Sequence, residues 1–107
     1  MLNFIKVACF IEESRIMKMK ALGIDIGTTT ISAVVMDMDT QKVEKAYTIN
    51  NNSFLAAGHV WERLQNPAVI IAKAKNLVDS ILEEYTEIER IGMTGQMHGI
   101  VYLDKEG

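Results

Sequence analysis

Two short segments hold residues whose types and spacing can do chemistry. The first reads Gly23-Ile24-Asp25-Ile26-Gly27-Thr28-Thr29-Thr30. Asp25 is the one carboxylate in an apolar run. An ionised carboxylate buried against a hydrophobic sheet is costly unless it is paired, hydrogen-bonded or near a metal. Gly27 has no Cβ, so a ligand can come close to its backbone. Thr28, Thr29 and Thr30 offer hydroxyls and backbone N–H groups of the kind that cradle phosphate oxygens. Asp25 would then hold Mg2+ or its water shell, since that ion prefers carboxylate oxygens and keeps several waters. The segment is neither a Walker A loop nor a G-x-G-x-x-G turn. On spacing alone, the same residues also read as an ordinary turn between strands.

The second segment reads Gly95-Gln96-Met97-His98-Gly99. A glutamine offers donor and acceptor together, and a neutral histidine offers one of each. Polyol hydroxyls need that mixture, and Met97 can supply an adaptable apolar contact to a carbon skeleton. The plainer alternative is a turn with a solvated His98.

These segments need elements to position them. Residues 21–26 and 31–38 are apolar or β-branched runs and read as strands joined by the small-residue turn. Residues 43–49 read as a third strand with charges mixed in, nearer an edge. Short links between the three predict an antiparallel meander. Asp37 and Asp39 read as turn residues. Asn50-Asn51-Asn52-Ser53 breaks the strand pattern, and no firm period follows as far as Gln65. His59 and Trp61 in that stretch read as loop packing. Asn66 and Pro67 mark a helix start, as cap and first helical residue. Ile70, Ala74, Leu77, Ile81 and Tyr85 then form one apolar stripe, widened by Ile71, Val78 and Leu82. Glu83 and Glu84 read as a solvated face. Residues 90–94 predict a fourth strand, 100–103 a fifth, and 104–107 the start of a turn.

Composition narrows the function classes. The chain has 107 residues, 49% hydrophobic and 23% charged, which is globular composition and fits one domain or part of one. A net charge of -3 without a basic stripe excludes binding nucleic acid by phosphate neutralisation. One cysteine excludes an internal disulfide framework and a cysteine-rich zinc site. No run approaches the roughly 18 apolar residues of a membrane span, and no secretory leader is read in residues 1–11. The expected location is cytoplasmic, with no membrane partner. Met17 and Met19 stand just before the first strand, so residues 1–19 read as an N-terminal extension and residues 20–107 as the domain.

The first segment resembles the first phosphate motif of the actin-like ATPase superfamily. Ile91-Gly92-Met93-Thr94-Gly95-Gln96-Met97-His98-Gly99 resembles the sugar-pocket segment of FGGY carbohydrate kinases, especially xylulokinase-like and sedoheptulokinase-like members. The resemblance covers residues 20–107. It implies an α/β, ribonuclease-H-like N-terminal lobe, here incomplete: a three-strand meander, a helix and two further strands. It also implies ATP-dependent phosphorylation of a sugar hydroxyl, with ATP and Mg2+ as cofactors and a ketose such as xylulose or sedoheptulose as substrate. By position, Asp25 would organise the metal, Gly27, Thr28, Thr29 and Thr30 would face the phosphates, and Gln96, Met97, His98 and Gly99 would touch the sugar. The sequence departs from the family pattern at Ser32, where many members carry Lys or Arg. The family's catalytic aspartate and adenosine site lie downstream of position 107. No catalytic base is therefore expected in this chain, and the isolated chain is expected to be inactive, with the remainder of the kinase as partner if the gene is split. A non-catalytic fragment and a chaperone-like nucleotide-binding domain are the competing readings. Gln96 to Gly99 speak against the latter.

Overall fold

The computed structural model describes residues 19–96 and 99–107. The expected extension lies outside the described residues except for Met19, which is buried and whose carbonyl accepts the Met38 N–H at 3.0 Å. Among the described residues, four strands and one helix follow in the order β1 (Lys20–Ile26), β2 (Thr30–Asp37), β3 (Lys42–Asn50), α1 (Pro67–Glu84) and β4 (Ile88–Gly95). They form a single sheet in the order β3-β2-β1-β4. The predicted meander is present, with β1 antiparallel to β2 and β2 antiparallel to β3. β3 is an edge strand, as its mixed charges suggest. β4 joins the other side of β1 in parallel, placing Ile24 beside Met93, Asp25 beside Thr94 and Ile26 beside Gly95.

The period-two alternation of β1 and β2 decides which face is covered. Leu22, Ile24, Ile31, Ala33 and Val35 are buried, and they pack with Ala74, Leu77 and Ile81 of the helix. The stripe read from the sequence is therefore the buried one, but its widening residues differ. Val78 is partly buried against the core, whereas Ile71 is 66% exposed and Leu82 37% exposed. The helix begins where Asn66 caps it, its side-chain oxygen accepting from the Ala68 and Val69 N–H groups, with Pro67 at the first position. On β4, Ile91 and Met93 sit beside Leu22 and Ile24 on the helix-bearing face, yet they are 51% and 68% exposed. The helix thus covers the meander and leaves β4 largely open.

Two expectations need correction. Residues 100–103 form no strand, although Asp104 does accept the Gly107 N–H in a terminal turn. Glu84 is not simply solvated. Lys45 Nζ lies 2.7 Å from one of its oxygens and Tyr47 donates to the other at 2.8 Å, tying the end of α1 to β3. Asp37, read as a turn residue, is the last residue of β2, and its carboxylate accepts from the Asp39 and Thr40 N–H groups of the turn that follows. No helix among the described residues is long and apolar enough to cross a membrane.

Two predictions follow from this packing. Ile81 is fully buried, so Ile81→Ala should lower the unfolding free energy by about 2–5 kcal/mol. Ile71→Ala on the same helix should stay within about 0.5 kcal/mol of the parent. Denaturant melts of both variants measure this difference. The Glu84 carboxyl is held below the ordinary glutamate range, first by Lys45 and then by Tyr47. A depressed carboxyl stabilises the fold above its unfolded value of about 4.3, and that stabilisation fades as pH falls through the folded value. Glu84→Gln should therefore be less stable than the parent at neutral pH, with the gap closing in acid, as melts across pH 7 to 3 would show.

Candidate active site

Both chemistry-bearing segments follow strands that run in the same direction, so they lie at the same end of the sheet. Asp25, Gly27 and Thr28 from the first line an open cavity of about 1300 Å³ together with Gln96 and Gly99 from the second. Thr94 and Gly95, the last residues of β4, complete the floor beside Asp25 and Ile26. Phe54, Ile70 and Tyr102 contribute apolar wall. Thr29 and Thr30 belong to the turn without lining this cavity. Met97 and His98 lie outside the described residues, so their expected contacts are not placed.

The turn itself is built from hydrogen bonds that occupy its carbonyls. Gly27 O accepts from Asn51 Nδ2 at 2.8 Å, and Thr28 O accepts from Gln65 Nε2 at 2.9 Å. Thr29 O accepts the Asn51 N–H at 2.8 Å, and Thr30 O accepts the Gly27 N–H at 2.9 Å. All four carbonyls are therefore satisfied from within the protein. The N–H groups of Thr28 and Thr29 have no partner among the described residues. A turn arranged this way keeps its donors for an anion and hides its acceptors from one.

Gly27 is needed by the turn itself. A Cβ built there would lie 2.8 Å from the Thr30 carbonyl oxygen. The close approach is made by the turn's own backbone, so a side chain is excluded whether or not a ligand is bound. Asp25 differs from expectation. It is exposed, because the alternation of β1 turns it away from the helix-covered core, so it carries no burial cost. Its carboxylate makes no hydrogen bond or ion pair among the described residues and stays free to meet a ligand.

Sequence reading missed the residues that organise the turn. Asn51 is 1% exposed and Ser53 is also buried. Asn51 spends its Nδ2 on Gly27 O, while its Oδ1 has no hydrogen-bond partner among the described residues. Gln65 closes an isolated bridge with Phe54 and donates to both Thr28 O and Ser53 Oγ. Gln65 Oε1 accepts from Gln96 Nε2 at 3.1 Å, joining the two segments. The available signal was a polar cluster between a strand end and a helix cap. It has no periodicity, so a pattern search passes over it. His59 and Trp61 stack with ring centroids 5.1 Å apart, and Trp61 is 74% exposed, so they pack on each other more than on the core.

The fold and this paired arrangement define a class. Residues 20–107 match the FGGY family of carbohydrate kinases, N-terminal domain, and the chain belongs to that family. It is similar to a xylulose kinase of Staphylococcus xylosus, 31% identical over 88 residues, which cover 80% of this chain and 18% of the relative. Among solved structures, it resembles one described as a xyloylose kinase from Brucella ovis, with a TM-score of 0.68 and 28% identity, covering 81% of this chain and 18% of that one. A ligand-bound xylulose kinase from Lactobacillus acidophilus shares the fold at a TM-score of 0.63 and 21% identity, covering 74% of this chain and 16% of that one. The chain thus spans about a fifth of the length of these relatives.

The glycines give a paired test of the turn. Gly27→Ala should destabilise the fold by about 1–3 kcal/mol, because a backbone oxygen has to move. Gly92→Ala, where a Cβ meets nothing within 4 Å, should be stabilising by about 0.5–1 kcal/mol through backbone entropy. Opposite signs in thermal melts are the expected result.

Proposed function

We propose that this chain carries the phosphate-facing and sugar-facing parts of an ATP-dependent carbohydrate kinase whose acceptor is a ketose such as xylulose or sedoheptulose. The observation that carries the reading is the cavity shared by Asp25, Gly27, Thr28 and Gln96. The curated relative is a xylulose kinase, which favours a ketose. In this reading residues 20–107 are the first portion of the family's N-terminal domain, and residues 1–19 precede it.

The roles divide by chemistry. The free N–H groups of Thr28 and Thr29, with the threonine hydroxyls, meet the terminal phosphate oxygens of ATP. Gly27 and Thr30 fix the shape of the turn through their mutual hydrogen bond. Asp25 fits a Mg2+ site because it is exposed, lines the cavity and has no competing partner among the described residues. One carboxylate suffices for an ion that keeps several waters and shares phosphate oxygens. When bound, Mg2+ neutralises charge on the phosphates. Gln96, Met97, His98 and Gly99 orient the sugar, with Gln96 supplying a hydrogen bond to a hydroxyl. Ser32 brings no positive charge. Its hydroxyl lies 3.3 Å from Thr48 Oγ1, so phosphate charge is met by backbone donors and metal rather than by a cation at this position.

This assignment contains no general base for the sugar hydroxyl. Phosphoryl transfer depends on positioning and charge neutralisation, but the proton still needs an acceptor. In this reading the base and the adenosine site belong to the rest of the enzyme, and the chain alone is a half-site. The share of about a fifth of the relatives' length favours that view. The purified chain should therefore form no sugar phosphate from MgATP and D-xylulose. It should still show ligand-induced amide shifts, at Thr28 and Thr29 with MgATP and at Gln96 and Gly99 with D-xylulose. Turnover that disappears in Asp25→Asn would overturn the half-site view. Absence of shifts with either ligand would overturn the kinase assignment.

A further inference from the structure

Gln65 touches both halves of the cavity, and the direction of its hydrogen bonds follows from the chemistry. The Thr28 carbonyl can only accept, so the amide nitrogen of Gln65 must be the end that faces it. Gln65 Oε1 therefore faces the other way, and Gln96 must present its own nitrogen to it. That leaves Gln96 Oε1 as the outward end of the relay, beside Gly99, where a Cβ would lie 3.9 Å from it. The second N–H of Gln65 is spent on Ser53 Oγ at 3.0 Å, and Ser53 is buried. The Gln65 amide is thus anchored at three points, and it stands directly before the Asn66 cap of the helix.

We propose that Gln65 is a positioning residue that couples polyol binding at Gln96 to the shape of the phosphate-facing turn. This rests on the reading of the two half-sites given above. A hydroxyl that donates to Gln96 Oε1 polarises the Gln96 amide, which strengthens its donation to Gln65. The Gln65 amide in turn holds the Thr28 carbonyl more firmly. Chains of aligned amides reinforce one another in this way. The Thr28 and Thr29 N–H groups are then held outward while the sugar is bound. Coupling of this kind is reciprocal, so nucleotide on the turn raises the affinity for the sugar by the same factor. Cooperative strengthening of about 10–30% per bond makes that factor up to about twofold.

The test has a ligand-free arm and a ligand arm, both on the full chain labelled with 15N. Without ligand, Gln96→Ala should shift the Thr28 and Thr29 amide resonances in the parent but leave them unmoved in a Gln65→Ala background. With ligand, the dissociation constant for MgATP should fall by up to about twofold when D-xylulose is present. That ratio should drop to about one in Gln65→Ala. Gln65→Glu is the second variant. It keeps an oxygen for Gln96 but cannot donate to the Thr28 carbonyl, so it should lose the ratio as fully as alanine does. A parent-like spectrum away from the cavity shows that a variant is folded, and a merely structural role would leave the ratio intact. No shift at Thr28 or Thr29 on Gln96→Ala overturns the relay whatever the ligands do. Binding of both ligands with an unchanged ratio in Gln65→Ala or Gln65→Glu overturns the coupling and leaves the kinase reading standing. A working relay in a chain that binds neither ligand overturns the half-site reading and the coupling with it.

Discussion

The parallel pairing of β1 with β4 is the constraint on which the site depends. Two parallel neighbours have their carboxyl ends at the same end of the sheet. Asp25 therefore sits beside Thr94, and Ile26 beside Gly95, although nearly seventy positions separate them in the chain. Parallel strands cannot be joined by a tight turn, so the chain between them must form a crossover. Here β2, β3, the loop after β3 and the helix make that crossover. Its last loop residues return to the same end of the sheet, which is why Gln65 stands between the turn and Gln96.

The turn gains its form from that returning loop. A tight link between strands has carbonyls that need donors, and a missing partner for a buried one costs about 1–3 kcal/mol. Asn51 and Gln65 supply three of the four donors, and the Gly27 N–H supplies the fourth. The arrangement leaves amide donors outward beside an exposed carboxylate. Donors and a carboxylate together suit an anion that arrives with its cation, whereas either alone would suit only one of them.

The core is small and one-sided. Among the described residues, one helix buries one face of a three-strand meander, and the fourth strand is left largely uncovered. Ile91 and Met93 have core-like identity and core-facing register yet remain exposed. The relatives that the chain matches are more than five times longer.

The amino-acid sequence by itself determined the elements. β-branched runs marked the meander, Asn66 and Pro67 marked the helix start, and the stripe of Ala74, Leu77 and Ile81 marked its buried face, since each is a local or periodic property of the chain. The Asp25 and Gln96 segments were also legible, because unusual residue types stand out in apolar surroundings. The sequence misled at residues 100–103, where strand-like composition found no partner strand among the described residues, and at Glu84, where a surface residue found a lysine and a tyrosine on β3. Only the tertiary structure decided that Asp25 faces away from the core, that Gly27 yields to a carbonyl of its own turn, and that Asn51 and Gln65 hold that turn in place. Hydrogen bonds between residues dozens of positions apart leave no period in the chain. Their donors and acceptors meet only after the sheet has fixed which strand ends lie side by side.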